Sequence, residues 1–119
     1  MKDSPQKKEG KILKEIAAKA TKVADLVCYA DGSIVSKTLI DKAVGTITLF
    51  AFDVGQGLSE HRAPYDAVVE VIEGKALITV GGEAMTVSAG EITIMPANVP
   101  HSVLAEEKFK MILTMIRSD

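Results

Sequence analysis

Two histidines, His61 and His101, carry the only imidazoles in the 119 residues of this chain. An imidazole ligates a metal through a ring nitrogen or moves a proton near neutral pH, so two brought together can chelate an ion or share a proton. Close to His61 stand Tyr65 and Asp66, a phenol and a carboxylate that could take part in proton transfer, and Arg62, the one cation of that stretch. The single cysteine, Cys28, permits no intrachain disulfide. With no basic partner or motif beside it, it is expected to be a small buried or half-buried side chain. Met85, Met95, Met111 and Met115 read as core filler, because an unbranched thioether adapts to irregular gaps.

Both histidines fall within Gly55 to Ala105, a run of short strand-like segments. Ser33–Ile40 and Thr46–Val54 are rich in β-branched and aromatic residues and read as strands. Asp66–Glu73 and Lys75–Val80 flank Gly74, which predicts a tight hairpin. Gly81-Gly82 then supplies the positive φ of a two-residue turn into Glu83–Val87. Glu91–Met95, Ser102–Leu104 and Phe109–Arg117 complete eight or nine short strands. In the last of them, Met111, Leu113 and Met115 alternate onto one face, as a core-facing strand requires. Many short strands with no helical pattern between them predict an all-β barrel or sandwich, which removes exposed edges.

Before the strands, Ile12, Ile16, Ala20, Val23 and Val27 recur at three- and four-residue steps. That spacing predicts one amphipathic α-helix of about four turns, with an apolar stripe to bury on the barrel exterior or on a second subunit. The expected organisation is a tail and helix over residues 1–27 and a single barrel domain over 28–119. Residues 1–9 are polar, contain Pro5 and read as frayed.

Composition excludes several classes. Residues 1–22 carry seven lysines and three acids, whereas residues 23–119 carry seven basic residues and thirteen acids. An acidic body argues against a nucleic-acid surface, and one basic helix is not a helix-turn-helix. The N-terminus has no apolar signal region and no apolar run approaches the roughly 20 residues of a membrane span. A cytoplasmic, reducing setting with no membrane partner is the resulting expectation.

The spacing Gly55-x5-His61-x-Ala63-x3-Ala67-x6-Gly74, followed by Gly90-x5-Pro96-x-Asn98-x2-His101-x3-Ala105, resembles the two motifs of the cupin superfamily. The resemblance covers roughly residues 33–117 and implies a double-stranded β-helix, the jelly-roll barrel, here with one N-terminal α-helix. In metal-dependent cupins these motifs supply three histidines and a glutamate, or four histidines. Carried over, His61 and His101 keep the first and last ligands, while Ala63 and Ala67 stand where the second histidine and the carboxylate belong. Asn98 and Ala105 replace a glycine and an asparagine of the pattern. A catalytic metal usually needs three protein ligands, so the implied site is depleted. Asp66 or Gln56 could be re-aimed by a β-bulge, but strand alternation turns Asp66 away from Ala67. Cofactor-independent sugar-nucleotide epimerases of the superfamily use a comparable histidine, carboxylate and phenol, yet the basic phosphate-binding residues have no counterpart here.

The first functional expectation is therefore a small-molecule-binding barrel whose pocket is lined by His61, Ala63, Tyr65, Ala67 and His101. The alternative is a metal-dependent dioxygenase or isomerase with a divalent ion (Zn, Ni, Fe or Mn) held by His61 and His101. A third class is an interaction protein using the basic helix. The resemblance also implies a homodimer, for which the helix stripe, Phe50 and Phe52 offer surfaces to bury.

Overall fold

The computed structural model describes residues 10–118. Its strands are β1 (Lys11–Ile12), β2 (Ile34–Lys42), β3 (Gly45–Phe52), β4 (Gly57–His61), β5 (Tyr65–Glu73), β6 (Lys75–Val80), β7 (Glu83–Ser88), β8 (Ile92–Met95), β9 (His101–Leu104) and β10 (Phe109–Arg117). They form a six-stranded sheet, β1-β2-β3-β10-β5-β8, and a four-stranded sheet, β4-β9-β6-β7. All recorded pairings are antiparallel. The frayed tail expected at residues 1–9 lies outside the described residues.

The core lies between the two sheets. From the larger come Phe52, Val69, Val71, Phe109 and Met111; from the smaller come Ala76, Ile78, Val87 and Val103. Strand alternation explains the selection: Val69 and Val71 point inward while Glu70 stays exposed between them. Phe52 and Phe109 stack with centroids 4.5 Å apart, a geometry worth about 0.5–1.5 kcal/mol beyond the burial of each ring. Phe52 is thus fully buried inside the barrel and offers no surface to a second subunit, while Phe50, half-buried, packs against the same cluster.

The chain changes sheet at Gly74. β5 pairs with β10 and β8, and β6 with β7 and β9, so the expected Gly74 hairpin is a corner instead. Gly74 has φ +72°, and a Cβ there would sit 2.2 Å from the Lys108 carbonyl oxygen, which leaves room only for hydrogen. The β6–β7 hairpin forms as expected on Gly81-Gly82, with both φ values positive.

Residues 11–27 do not form the predicted α-helix. Lys11–Ile12 pairs with β2, and the Leu13 amide donates to Leu39 O at 2.8 Å. Two short 3-10 turns follow, Lys14–Ile16 and Val23–Leu26. Ala18 at φ +59° breaks any continuous right-handed helix. The stretch instead lies as a strap on the outer face of the larger sheet, where Val27 is buried with Leu49 and Ala51 against Val23, Leu26 and Tyr29, while Ile12 and Ala20 of the predicted stripe stay exposed. Once a sheet face is available, short turns and extended segments laid across it bury Val23, Leu26 and Val27 without an α-helix, and tertiary contact overrides helix propensity.

Polar bonds anchor the strap. Lys110, 8% exposed, donates to Ala24 O at 2.7 Å and lies 3.8 Å from Glu73. Tyr29 Oη donates to Glu73 Oε2 at 2.5 Å beneath the Lys108 and Lys110 ammonium groups, 5.5 and 5.0 Å from the ring centroid. Burial, then the bond to Glu73, pushes the Tyr29 phenol well above the ordinary tyrosine range. At the next turn, the Asp53 carboxylate accepts from the Gly32 and Val54 amides at 2.6 and 2.8 Å. These bonds, Gly32 first, hold its pKa below the usual carboxylate value. Cys28, next to Tyr29 in the chain, is exposed rather than buried or half-buried.

Candidate functional site

His61 ends β4 and His101 begins β9, and the two are direct cross-strand partners. Simple alternation would turn His61 to the opposite face from Leu58, three residues earlier. A β-bulge resolves this: Leu58 pairs with Val103 and His61 with His101, so Ser59 and Glu60 oppose Ser102 alone. The extra residue brings Leu58 and His61 to the same inner side.

Each imidazole is then fixed by backbone. His61 Nδ1–H donates to Ser59 O at 2.8 Å, from within the bulge, and His101 Nδ1–H donates to Val99 O at 3.1 Å. A carbonyl only accepts, so both Nδ1 atoms carry hydrogen, and in a neutral ring each Nε2 presents a lone pair. The two Nε2 atoms face each other at 3.2 Å, with the rings edge to face. Two bare lone pairs repel at that distance, so a proton or another positive centre between them turns repulsion into a bond.

The pair lines a partly open cavity of about 60 Å³. The smaller sheet contributes Leu58, His61, His101 and Val103; the larger contributes Tyr65, Ala67, Met95, Met111, Leu113 and Met115; and Ala63 lines it from the β4–β5 connection. His101 is buried at 8% exposure, whereas His61 belongs to the exposed rim. The five residues singled out from the sequence are all brought to this one space. Leu58, Met95, Val103, Met111, Leu113 and Met115 were not among them. Alternation placed Met111, Leu113 and Met115 inward but could not distinguish a solid core from a hollow one.

Neighbouring residues take other work. Asp66 is turned outward, as alternation requires, and its carboxylate accepts from the Ala97 amide at 2.9 Å. Asn98 has φ +65°, a conformation that Asn tolerates better than most residues, which explains how it stands in for glycine; its amide donates to Ala63 O at 2.8 Å. The second motif is thereby tied to the first.

The described residues do not fit a catalytic divalent metal of the implied kind. They hold no group of three or more His, Cys, Asp or Glu placed to share an ion. At the two remaining ligand positions Ala63 and Ala67 present methyl groups to the cavity. Asp66, the nearest carboxylate in sequence, is committed elsewhere. Among the described residues no helix is long and apolar enough to cross a membrane.

Comparison with known proteins agrees with this architecture. Residues 48–117 match the family model described as the cupin domain. A conserved protein of unknown function from Streptococcus pyogenes superposes with a TM-score of 0.82 at 33% identity, covering 86% of this chain and 90% of that one. A cupin 2 conserved barrel domain protein from Leptotrichia buccalis gives a TM-score of 0.77 at 42% identity, over 79% of this chain and 46% of that one. An uncharacterised protein of Streptomyces coelicolor is 38% identical over 56 residues, which are 47% of this chain and 53% of that protein. The matched region thus spans about half the length of that curated relative.

Proposed function

Because this chain belongs to the cupin family, we propose that it is a small-molecule-binding barrel that takes a compact organic acid in the cavity lined by His61 and His101. The observation that carries the reading is the pair of Nε2 atoms 3.2 Å apart on an otherwise largely apolar cavity. An acid supplies what that pair needs: its proton bonds the two nitrogens, and its carboxylate balances the resulting positive charge. The apolar walls receive the rest of the ligand. A volume of about 60 Å³ restricts it to a few heavy atoms, since one water needs roughly 10–15 Å³ on the same measure. The second class, a divalent-metal dioxygenase or isomerase, requires a third ligand that the donor set lacks.

Titrating two- to five-carbon carboxylic acids and their amides into the protein, followed by amide NMR and calorimetry, tests this reading. The expected result is saturable binding of one or more acids, no binding of the matching amides, and loss of binding in His61→Ala and His101→Ala. Equal binding of acid and amide, or binding that survives both substitutions, would overturn it.

The protein is further proposed to act as a homodimer in a reducing cytoplasm, a setting that suits an exposed Cys28 thiol. Support for the dimer comes from the outer face of the larger sheet beyond the strap. There Ile92, Ile94 and Ile116 are 63%, 61% and 56% exposed, and a groove of Ile40, Ile47 and Ile116, closed by Val44 from the β2–β3 turn, is nearly all carbon. This chain already covers the other half of that face with apolar side chains of its own, and a second copy would bring the same chemistry to the open half.

A further inference from the structure

We infer that the same cavity is a site for a soft monovalent cation, copper(I), held by His61 and His101 on one wall and by the thioethers of Met95 and Met115 on the other. This goes beyond the organic-acid reading, since the cation needs the same two nitrogens and the two occupants exclude one another. It starts from the mismatch at Ala67. In the sheet register Ala67 pairs with Met95 on β8 and with Met115 on β10, so the methyl group that replaces a carboxylate is flanked on both sides by methionine. Directly paired residues hold their Cβ atoms about 4.5–5.5 Å apart on one face. All three residues line the cavity that contains both imidazoles.

The donor set as a whole has changed character. A carboxylate and extra imidazoles suit divalent ions of borderline hardness, whereas thioethers select copper(I), and imidazole accepts it as well. Copper(I) carries one positive charge and tolerates few ligands, so it does not require the donors missing at positions 63 and 67. At the roughly 2.0–2.1 Å of a zinc–imidazole bond, taken as the scale for a small first-row ion, one ion reaches two nitrogens up to about 4 Å apart, and the two Nε2 atoms are 3.2 Å apart. Their Nδ1–H bonds to Ser59 and Val99 carbonyls supply the outer support that metal-bound imidazoles ordinarily have. Met85 is separate: its sulfur accepts from Thr93 Oγ1 at 3.6 Å, and it does not line the cavity.

The test uses tag-free protein in a Cys28→Ser background, because an exposed thiol captures copper(I) on its own. Under anaerobic ascorbate the protein competes with a coloured copper(I) chelator. In parallel, silver(I), a redox-inert analogue, is added to protein labelled at its methionine methyl groups. One equivalent of copper(I) is expected to bind. Met95→Leu/Met115→Leu should weaken it at least tenfold, and His61→Ala at least a hundredfold. Silver(I) should shift the Met95 and Met115 methyl signals and leave Met85 in place. Failure to compete for copper(I), an affinity unchanged in the double methionine variant, or methionine signals indifferent to silver(I) would each overturn the site. The acid titration fails separately: acids that bind where copper(I) does not remove only the metal site, and indifference to both removes the reading of the cavity itself.

Discussion

Restoring the missing donors provides a direct test of why the divalent site is depleted. Ala63→His with Ala67→Glu returns an imidazole and a carboxylate to a cavity where the native chain has two methyl groups. Ala67 is 4% exposed between Met95 and Met115, so an uncompensated glutamate there overfills the space and leaves a buried carboxylate unpaired, costing about 2–4 kcal/mol without metal. For a chain of this length that lowers Tm by roughly 10 °C, at about 3–6 °C per kcal/mol. With four donors, Ni(II) or Mn(II) at a hundred times its Kd returns about 2.7 kcal/mol and raises Tm by roughly 10 °C. The native protein, with two imidazoles, should move by no more than about 2 °C at the same concentration, as expected when the ion is present near its Kd. Thermal unfolding with and without metal reads both quantities, and Ala63→Asn/Ala67→Gln controls for volume without the full donor set. The reasoning is refuted if the native protein is stabilised as much as the restored variant, or if the control responds as strongly.

Three other outcomes follow from the structure. Lys110→Met keeps the buried stem but removes the ammonium group that bonds Ala24 O and faces Glu73; urea unfolding should show a loss of about 1–3 kcal/mol, and no loss would mean that the strap is held by its apolar side chains alone. Asp53 has a lowered pKa in the folded state, so its contribution is present above the ordinary carboxylate pKa and disappears as pH falls through the folded value. Asp53→Asn should therefore be less stable than native protein at pH 7, with the gap closing in acid; a gap that widens in acid would contradict this sign. Ile116→Lys, placed on the open sheet face, should convert a dimer to a monomer in sedimentation equilibrium while leaving the fold intact; a native protein already monomeric at high micromolar concentration would remove the dimer proposal.

Strand positions were legible because one face of each strand packs on a core and the other does not. That asymmetry writes a period of two into Asp66–Glu73 and Phe109–Arg117. That His61 and His101 line one cavity could be expected from motif spacing, but their direct cross-strand pairing could not. The inward turn of His61 depends on a bulge at Ser59 and Glu60, and no residue type in GLSEH announces it. The apolar stripe of residues 12–27 was visible while its conformation was not, because side chains spaced three and four apart serve a helix or a strap folded onto a sheet. Gly74 looked like a hairpin tip for a related reason: positive φ marks a sharp turn without saying whether the next strand pairs with the last one or joins the opposite sheet. The methionines were recognised as inward-facing, but their position on either side of Ala67 is a property of register between strands far apart in sequence.

The central claim is that two imidazoles, each locked through Nδ1–H to a backbone carbonyl, aim bare Nε2 atoms at one point. Long-range proton–nitrogen NMR of ¹⁵N-histidine protein measures this directly. Both rings should show the Nδ1–H tautomer in the neutral state, and one equivalent of silver(I) should move both Nε2 resonances together and leave both Nδ1 resonances nearly in place. An Nε2–H tautomer in either ring, or a shift confined to one histidine, would contradict it.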